Sequence, residues 1–217
     1  MSKQKITVVI ADDHPIVLLG VRELIERDDR FKVVGEAINS SELIKVLNAE
    51  NPDILITDYN MPDHSIYGDG LKLVKYLSRN YPSLQVLILT MVSNGLILSR
   101  LYDLGVAGVV QKSQLHAEIQ RALDALSQKR RYKCPALNKS SVMDEGRNVE
   151  QRLALLSLRE LEILRLFVSG MSLRDIAIDQ NRSAKTISTQ KVAAMRKLEV
   201  NSDQELITFC LEANLFQ

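Results

Sequence analysis

The sequence predicts an α/β domain with a parallel sheet, followed by a smaller all-helical domain. Two observations predict the first domain: short apolar runs recur along residues 5–126, and a stretch with helical spacing follows each of them. Such alternation is typical of βα units, whose strands lie parallel and are covered by helices on both faces. From residue 153 onward, helical patterns follow one another without strands between them. With 217 residues, the chain is long enough for two domains with their own cores.

The (βα)₅ series can be followed element by element from apolar spacing and breaking residues. Strands are predicted near residues 5–11, 31–36, 54–58, 85–89 and 108–111. Helices are predicted near residues 14–27, after Ser40 as an N-cap, and near 70–80, 94–104 and 114–126. The third strand is a continuous apolar run that ends abruptly in Asp58, which is typical of a parallel strand buried on both faces.

Polar residues stand where four of the predicted strands end. Asp12 and Asp13 follow the first strand, Asp58 ends the third, and Thr90 and Lys112 follow the fourth and fifth. In open α/β sheets, ligands bind at the edge where the carboxyl ends of the strands meet. Carboxylates roughly 5 Å apart repel each other by about 3 kcal/mol per pair at an effective dielectric near 20. A proton or cation must offset that repulsion, and carboxylate oxygens with room for water favour Mg²⁺.

Charge is distributed unevenly along the chain, although the formal net charge is only +1. Residues 1–128 carry 13 Lys/Arg and 16 Asp/Glu, whereas residues 129–217 carry 15 and 11. An acidic half followed by a basic half indicates a cation site first and a polyanion partner second, although ordinary surface variation would give the same counts. Charged and loop-forming residues between the halves predict domains at 1–127 and 153–217, joined by a linker at 128–152.

The chain has features of a protein from a reducing compartment. Cys134 and Cys210 are its two cysteines, and neither has neighbours at metal-ligand spacing. The N-terminus shows no apolar signal segment, and no apolar run reaches the length that spans a membrane. We therefore expect a cytoplasmic protein without membrane association.

Capping residues predict where the C-terminal helices begin. The expected N-caps are Ser157, Ser172, Ser183 and Ser202, the first and last of them in capping boxes with Glu160 and Glu205. Gly170 is placed to end the first of these helices. Four short helices with a tight turn between the second and third form a helix-turn-helix layout.

The third C-terminal helix carries the basic residues. Residues 180–198 contain five cations and no acid. Cations that bind phosphates, beside short side chains that approach base edges, are typical of a recognition helix, and a basic solvated face is the alternative. Lys185, Lys191 and Arg196 are expected to contact phosphates, and Ser188, Thr189 and Val192 to lie nearest the bases. The full candidate set is Arg182, Lys185, Thr186, Ser188, Thr189, Lys191, Val192 and Arg196.

The motifs resemble two known families. An acid pair, an acid, a hydroxyl and a lysine, each at its own strand end, resemble the receiver domain of response regulators over about residues 5–126, which implies a flavodoxin-like fold. Leu158-x-Glu160-x-Glu162-x-Leu164 and Lys197-Leu198-x-Val200 resemble a LuxR-type helix-turn-helix domain. A receiver followed by that domain is similar to the NarL/FixJ class. Asp12-Asp13-His14-Pro15 and Tyr67-Gly68-Asp69-Gly70 further resemble regulators of the Rcs phosphorelay subgroup.

This resemblance implies a phosphorylation-controlled transcriptional regulator rather than an enzyme. Asp58 would accept a phosphoryl group from a histidine kinase or a histidine phosphotransfer protein, and Thr90 and Lys112 would be the switch residues. Asp13, Asp58 and the backbone carbonyl of Asn60 would bind Mg²⁺, with Asp12 acting mainly through water. Phosphorylation would shift dimerisation, with a second copy or another regulator, and binding to double-stranded DNA.

Two alternatives remain open at this stage. Val109 stands where many receivers carry a switch aromatic, three residues before the lysine, so a phosphorylation-independent or heterodimeric regulator would use the receiver only as an interaction module. A phosphatase-type enzyme would also use a strand-end Asp nucleophile. It would need a second acid two residues after Asp58, where this chain has Asn60.

Overall fold

A computed structural model describes residues 5–61, 67–138, 149, 151–213 and 215–216. The chain divides into two compact units: the chain up to Met91 together with Leu101–Cys134, and Val92–Arg100 together with the chain from Pro135 onward. Residues 139–148 and 150 of the predicted linker lie outside the described residues. Within the described ranges, no helix has both the length and the apolarity needed to cross a membrane.

A five-stranded parallel sheet forms the centre of the first unit, with the strand order β2-β1-β3-β4-β5. Its strands are β1 (Ile6–Ala11), β2 (Phe31–Ala37), β3 (Ile54–Asp58), β4 (Gln85–Thr90) and β5 (Gly108–Gln111). The middle strand β3 is buried along its whole length, as expected for a strand in a sheet covered on both faces. The predicted (βα)₅ fold is confirmed.

Helices alternate with these strands. They are α1 (Pro15–Glu26), α2 (Ser40–Glu50), α3 (Gly70–Asn80), α4 (Gly95–Asp103) and α5 (Leu115–Ser127). Ile10, Ile56 and Leu87 of the sheet form one buried cluster with Ile25 of α1 and Leu123 of α5. This apolar packing stabilises the strand ends that carry the candidate site residues.

The start of α2 differs from the predicted one. Asn39 is the N-cap, because its side-chain oxygen accepts a hydrogen bond from the amide of Glu42 at 2.8 Å. Ser40 is the first helical residue, and its side chain is fully buried. The prediction that Ser40 caps the helix is therefore wrong. Asn and Ser are both good N-caps, so their adjacency left the sequence ambiguous by one residue.

The chain returns to the sheet after α5. Two residues after the end of α5, Lys129 lies in the left-handed region at φ 54°, and the amide of Arg130 donates to the carbonyl of Ala125 at 2.9 Å. Tyr132 then forms an isolated parallel bridge with Gly108 of β5. We name residues 130–134 the edge strap. The first part of the predicted linker is thus folded against β5.

Helices build the C-terminal part of the second unit. A helical segment at 151–154 precedes α6 (Leu158–Val168), α7 (Leu173–Asp179), α8 (Ala184–Leu198) and α9 (Asp203–Glu212). A buried cluster of Ile163, Leu166, Ile176, Ala177 and Ile187 joins α6, α7 and α8. The predicted all-helical domain with a helix-turn-helix layout is confirmed.

Serine side chains cap these helices as predicted. Each accepts a hydrogen bond from the amide three residues later, at 3.1–3.3 Å, and the capping residues are Ser157, Ser172, Ser183 and Ser202. The first capping box is complete, because the Glu160 carboxylate also accepts from the Ser157 amide. The second box is not, because the Glu205 carboxylate accepts instead from the amide of Asn201 at 2.8 Å.

Candidate functional site

The register of the sheet brings the predicted strand-end residues to one edge. In the strand pairs β1–β3, β3–β4 and β4–β5, the last paired residues are Ala11–Thr57, Asp58–Leu89 and Thr90–Gln111. Asp12 therefore follows β1 beside Asp58, and Lys112 follows β5 beside Thr90. The strands end at the same level of the sheet, so the residues at their ends lie near one another although they are far apart in the sequence. These residues are Asp12, Asp58, Thr90 and Lys112.

Lys112 lies between two buried carboxylates. Its Nζ atom is 2.7 Å from Asp12 Oδ2 and 3.0 Å from Asp58 Oδ2. The side chains of Asp12 and Asp58 are only 2% and 7% exposed, so their charges are poorly solvated. The ammonium group thus supplies the offsetting cation that a cluster of buried acids requires.

Burial changes the acidity of Asp58. Desolvation of its carboxylate raises the pKa of Asp58 to about 6, against the lowering effect of Lys112 and the backbone amide of Asn60. The nearby charge of Asp12 raises this pKa further. Burial also disfavours the charged form of Lys112, but hydrogen bonds and charge interactions with both acids outweigh it and raise the pKa of Lys112. At neutral pH, Asp58 is therefore largely ionised and Lys112 is positively charged.

A histidine that sequence reasoning did not include belongs to this cluster. His14 Nδ1 lies 2.8 Å from Asp13 Oδ1 and 3.3 Å from Asp12 Oδ1. Ligand atoms of Asp12, Asp13 and His14 all lie within 4.8 Å of one another. The sequence could have indicated His14 through its position directly after the acid pair at a strand end, from which its ring can reach back to both acids.

The oxygen atoms of this cluster suit a hard cation. Apart from the ion pair with Lys112 and the contact with His14, Asp12 Oδ2 and Asp13 Oδ1 accept no hydrogen bond from the described residues. Buried carboxylate oxygens with remaining acceptor capacity fit Mg²⁺, which prefers oxygen ligands and keeps several waters. His14 is a less suitable ligand for that ion.

The other predicted receiver residues lie at the same edge. Thr90 is the last residue of β4 and is buried. Asn60 follows β3, and its backbone amide interacts with the Asp58 carboxylate. Val109 is completely buried within β5. The structure thus brings the acids, Thr90 and Lys112 to the same edge of the sheet, where Lys112 contacts both Asp12 and Asp58.

Helix α8 presents most of the predicted DNA-contacting residues to solvent. Ile187, Ala194 and Leu198 are buried. The candidates on the opposite side of α8, and Arg182 just before the helix, are exposed or half-buried: Arg182, Lys185, Thr186, Ser188, Thr189, Val192 and Arg196. Within the described parts of the chain, no carboxylate forms an ion pair with Lys185 or Arg196. These cations keep their charge available to a polyanion.

Lys191 is the exception among the candidates. Its Nζ atom is 2.6 Å from Asp203 Oδ1 and 4.3 Å from the centroid of the Phe167 ring. The Lys191 side chain is only 8% exposed. We therefore correct its assignment as a phosphate contact: Lys191 joins α8 to α6 and α9 instead. A long aliphatic stem lets a lysine on this side of the helix follow the core to an acidic partner.

A second lysine fixes the other end of α8. Lys197 Nζ lies 2.7 and 2.9 Å from the two carboxylate oxygens of Glu160. The same carboxylate caps α6 through the Ser157 amide at 2.7 Å. Helix α8 is thus held by charged contacts at two positions, whereas Lys185 and Arg196 on its exposed stripe have no carboxylate partner among the described residues.

Comparison with known families matches both units of the chain. Residues 8–124 match the family described as "Response regulator receiver domain". Residues 154–210 match the family described as "Bacterial regulatory proteins, luxR family". The first match runs from within β1 through the other four strands and includes Asp58, and the second contains α6 to α8.

Individual relatives match along nearly the whole chain. The transcriptional regulatory protein RcsB of Escherichia coli (strain K12) is 40% identical over 209 residues, which cover 96% of this chain and 95% of the relative. A solved structure of the Salmonella typhimurium RcsB response regulator has a TM-score of 0.82 at 40% identity and covers 97% of this chain and 99% of its own.

A further solved structure is RcsB from Salmonella enterica serovar Typhimurium bound to promoter rprA with the phosphomimetic BeF₃⁻. It has a TM-score of 0.78 at 40% identity and covers 95% of this chain and 98% of its own. Together, the receiver match, the luxR-family match and these relatives show one domain order and one pair of folds. The chain therefore belongs to the NarL/FixJ family of response regulators, with an N-terminal receiver domain and a C-terminal LuxR-type helix-turn-helix domain, and is related to RcsB.

Proposed function

We propose that this protein is a cytoplasmic transcriptional regulator whose DNA binding is controlled by phosphorylation of Asp58. The observation that carries the proposal is the buried cluster in which Lys112 Nζ lies within 3.0 Å of both Asp12 and Asp58. A charged group buried in a strand-end cluster with a shifted pKa is a candidate for chemistry rather than for stability alone.

Asp58 is the proposed phosphoryl acceptor. The donor is a phosphohistidine of a histidine kinase or of a histidine phosphotransfer protein. An Asp58 carboxylate oxygen forms a bond to phosphorus while the bond from phosphorus to the histidine nitrogen breaks, and the electron pair stays with the histidine. Lys112 stabilises the charge on the transferred oxygens as a compact cation.

Asp13, Asp58 and the backbone carbonyl of Asn60 would hold Mg²⁺, with Asp12 acting through water. When bound, the ion neutralises charge on the acids and on the phosphoryl oxygens. His14, which lies against both Asp12 and Asp13, holds these carboxylates in place before the ion arrives.

Thr90 and Lys112 are the proposed switch residues. A phosphoryl group at Asp58 adds about −1.5 to −2 charges and three acceptor oxygens. The Thr90 hydroxyl donates to one of them, and α4 begins five residues later, at Gly95. A coupling of roughly 1–3 kcal/mol is typical of such switches, which suffices to shift a dimerisation equilibrium. The partner is a second copy of this chain or another regulator.

The C-terminal domain is proposed to bind double-stranded DNA as a dimer, with α8 in the major groove. Arg182, Lys185 and Arg196 contact phosphates, and Ser188, Thr189 and Val192 lie nearest the bases. The exposed, unpaired cations on α8 support this placement. The related RcsB structures bound to DNA support the partner class.

The structure also bears on how the domains are joined. We propose a receiver that extends through the edge strap to Cys134, a linker from Pro135 to about residue 152, and a DNA-binding domain from residue 153. The division of the chain into compact units at Cys134 supports the first boundary.

The interpretation of Asp58 as the nucleophile of a phosphatase-type enzyme is less well supported. The related proteins are transcriptional regulators. Position 60, where a phosphatase of this type would need an acid, is Asn60. A regulator that ignores phosphorylation is the more serious alternative, because the buried Val109 supplies no aromatic switch.

Intact-mass analysis tests the proposal. Wild-type protein and Asp58→Asn are incubated with Mg²⁺ and a small phosphodonor such as acetyl phosphate. We expect one phosphoryl group on the wild type and none on the variant. Equal labelling of both proteins, or no labelling of either, contradicts the assignment of Asp58.

A further inference from the structure

The edge strap is fixed to the receiver by its backbone. The amide of Tyr132 donates to the carbonyl of Ala107 at 2.8 Å, and Tyr132 pairs with Gly108 in parallel. A side chain at position 108 would force its neighbours to shift, because a Cβ atom there would lie 2.8 Å from Leu87 Cδ1 and 3.0 Å from Tyr132 Cβ. Gly108 therefore permits the close approach that lets the strap cover β5.

One hydroxyl closes the end of the strap. The Tyr102 hydroxyl donates to the carbonyl of Tyr132 at 2.7 Å and accepts from the amide of Cys134 at 2.9 Å. Tyr102 lies in the last turn of α4, whereas the strap follows α5. Two main-chain groups at the end of the receiver thus depend on a single side chain from α4.

The strap is also buried by its own side chains. Tyr132 and Cys134 are 9% and 1% exposed, although Arg131 and Lys133 beside them are exposed. Burial and the neighbouring Glu118 carboxylate raise the pKa of the Tyr132 phenol. Alternation of buried and exposed residues is what a strand at a sheet edge shows, so the strap is a built element rather than the start of a free linker.

We infer that Tyr102 is a positioning residue that holds the start of the interdomain linker on β5 and releases it when α4 moves. The release step rests on the proposed function, because the movement of α4 would come from phosphorylation at Asp58 beside Thr90. The two hydrogen bonds between the Tyr102 hydroxyl and the strap are short, and a shift of about 1 Å takes both beyond hydrogen-bonding distance.

Release would change the reach of the DNA-binding domain. The released strap, residues 130–134, adds five residues to the linker, which extends it by up to about 17 Å. In a dimer, linker length sets the effective concentration of the second DNA-binding domain at its half-site. Tyr102 would therefore connect the state of the receiver with the spacing of half-sites that the dimer can bridge.

Amide hydrogen exchange on the full-length protein tests the inference. Exchange of the Cys134 amide is measured by NMR in wild type, Tyr102→Phe and Tyr81→Phe, each with Mg²⁺ and with or without beryllium fluoride. Tyr81→Phe is the matched control, because it also removes a phenol hydroxyl, one that donates to Asn48 Oδ1 at 2.7 Å away from the strap. Tryptic cleavage after Arg131 and Lys133 gives a second readout.

Tyr102→Phe should raise exchange at Cys134 by about tenfold or more, which is the effect of losing roughly one net hydrogen bond. Tyr81→Phe should leave it unchanged. In wild type, beryllium fluoride should raise exchange and cleavage of the strap towards the Tyr102→Phe level, with little further effect in that variant.

Unchanged protection of Cys134 in Tyr102→Phe overturns the anchoring role. Beryllium fluoride that shifts the Asp58 amide but leaves the strap protected overturns the release step while the proposed function stands. No response at the Asp58 amide contradicts the proposed function and the release step together, and the Tyr102→Phe comparison still decides the anchoring role.

Discussion

Lysines in the two domains differ in whether a carboxylate of the protein pairs with their charge. In the receiver site, Lys112 lies within 3.0 Å of two buried carboxylates, whereas Lys185 on α8 is exposed and has no carboxylate partner in the described part of the chain. The first charge is balanced inside the protein, and the second is left for a partner. Lys191 shows that this difference follows the face of the helix and not the helix itself.

The difference matters because the dielectric surroundings determine how strongly two charges interact. Two unit charges about 4 Å apart interact by about 1 kcal/mol in water and about 4 kcal/mol at an effective dielectric of 20. The charges around Asp58 are buried and interact at a low effective dielectric, so each substitution there should affect stability, pH dependence and switching together. The charges on the exposed stripe of α8 are surrounded by water, so substitutions there should affect DNA binding alone.

The largest effect is expected for Lys112→Ala. The substitution leaves Asp12 and Asp58 buried without their cation, which costs about 3–5 kcal/mol when a buried pair is broken. The loss should be greatest near pH 8, smaller near pH 5 where Asp58 takes up a proton, and partly reversed by Mg²⁺. Denaturant unfolding at both pH values measures it.

Lys185→Ala is the matched control for that experiment. Its stability should equal that of the wild type at both pH values, because the side chain is exposed and unpaired. Phosphodonor-dependent dimerisation should be lost in Lys112→Ala and kept in Lys185→Ala. Normal switching in a destabilised Lys112→Ala protein would show that the lysine serves only the fold.

Asp58→Asn should stabilise the receiver. Asp58 binds its proton more tightly in the folded state, where its pKa is about 6, than in the unfolded chain, where it is 3.8. Ionisation therefore makes stability fall as pH rises from about 4 to 6. The gain from Asp58→Asn should be small near pH 4 and reach about 1–3 kcal/mol above pH 6.5 without Mg²⁺. Unfolding curves across this range decide it, and a pH-independent gain would contradict the assigned burial of charge.

Some features of the fold and of the candidate site could be predicted from the sequence, and others could not, depending on the kind of contact that forms them. The convergence of Asp12, Asp58, Thr90 and Lys112 was predictable, because strand ends in a parallel sheet meet at one edge. The exact N-cap of α2 was not, since Asn39 and Ser40 are both competent. The partner of a long side chain could not be predicted from the pattern either. Helical spacing from Ile187 and Ala194 places Lys191 on the buried face of α8, but its contact with Asp203 depends on how α9 packs there.

The edge strap shows another limit of sequence reasoning. Residues 128–134 have the composition of a linker, and nothing local marks Tyr132 as a strand residue. Its pairing depends on the absence of a side chain at Gly108 and on the hydroxyl of Tyr102. Such contacts arise between distant segments only once the fold has formed.

A smaller effect separates Lys185 from Lys191 on α8. Lys185→Ala should weaken binding to all DNA sequences and reduce the slope of log affinity against log salt by about one. Lys191→Met should weaken binding without changing that slope, because it removes the contacts with Asp203 and Phe167 and no phosphate contact. Titrations over several salt concentrations measure both. A slope reduced by Lys191→Met would restore Lys191 as a phosphate contact.

The smallest effect on affinity, but a change of specificity, is expected for Val192→Lys. Val192 is exposed on the stripe of α8 that faces away from the helical core. Its apolar side chain has no hydrogen-bonding group, so any base preference there should favour the thymine methyl. Selection from randomised DNA should recover different sites for the variant. An unchanged selected sequence would mean that α8 docks in another orientation.

DNA affinity with and without phosphorylation tests the central claim most directly. Wild type and Asp58→Asn are titrated against one site recovered by selection, each with Mg²⁺ and with or without acetyl phosphate. The account predicts that the phosphodonor tightens binding of the wild type by roughly 5–150-fold, as a coupling of 1–3 kcal/mol gives, and leaves Asp58→Asn unchanged. Equal responses of the two proteins, or tight binding by both without the phosphodonor, would contradict it.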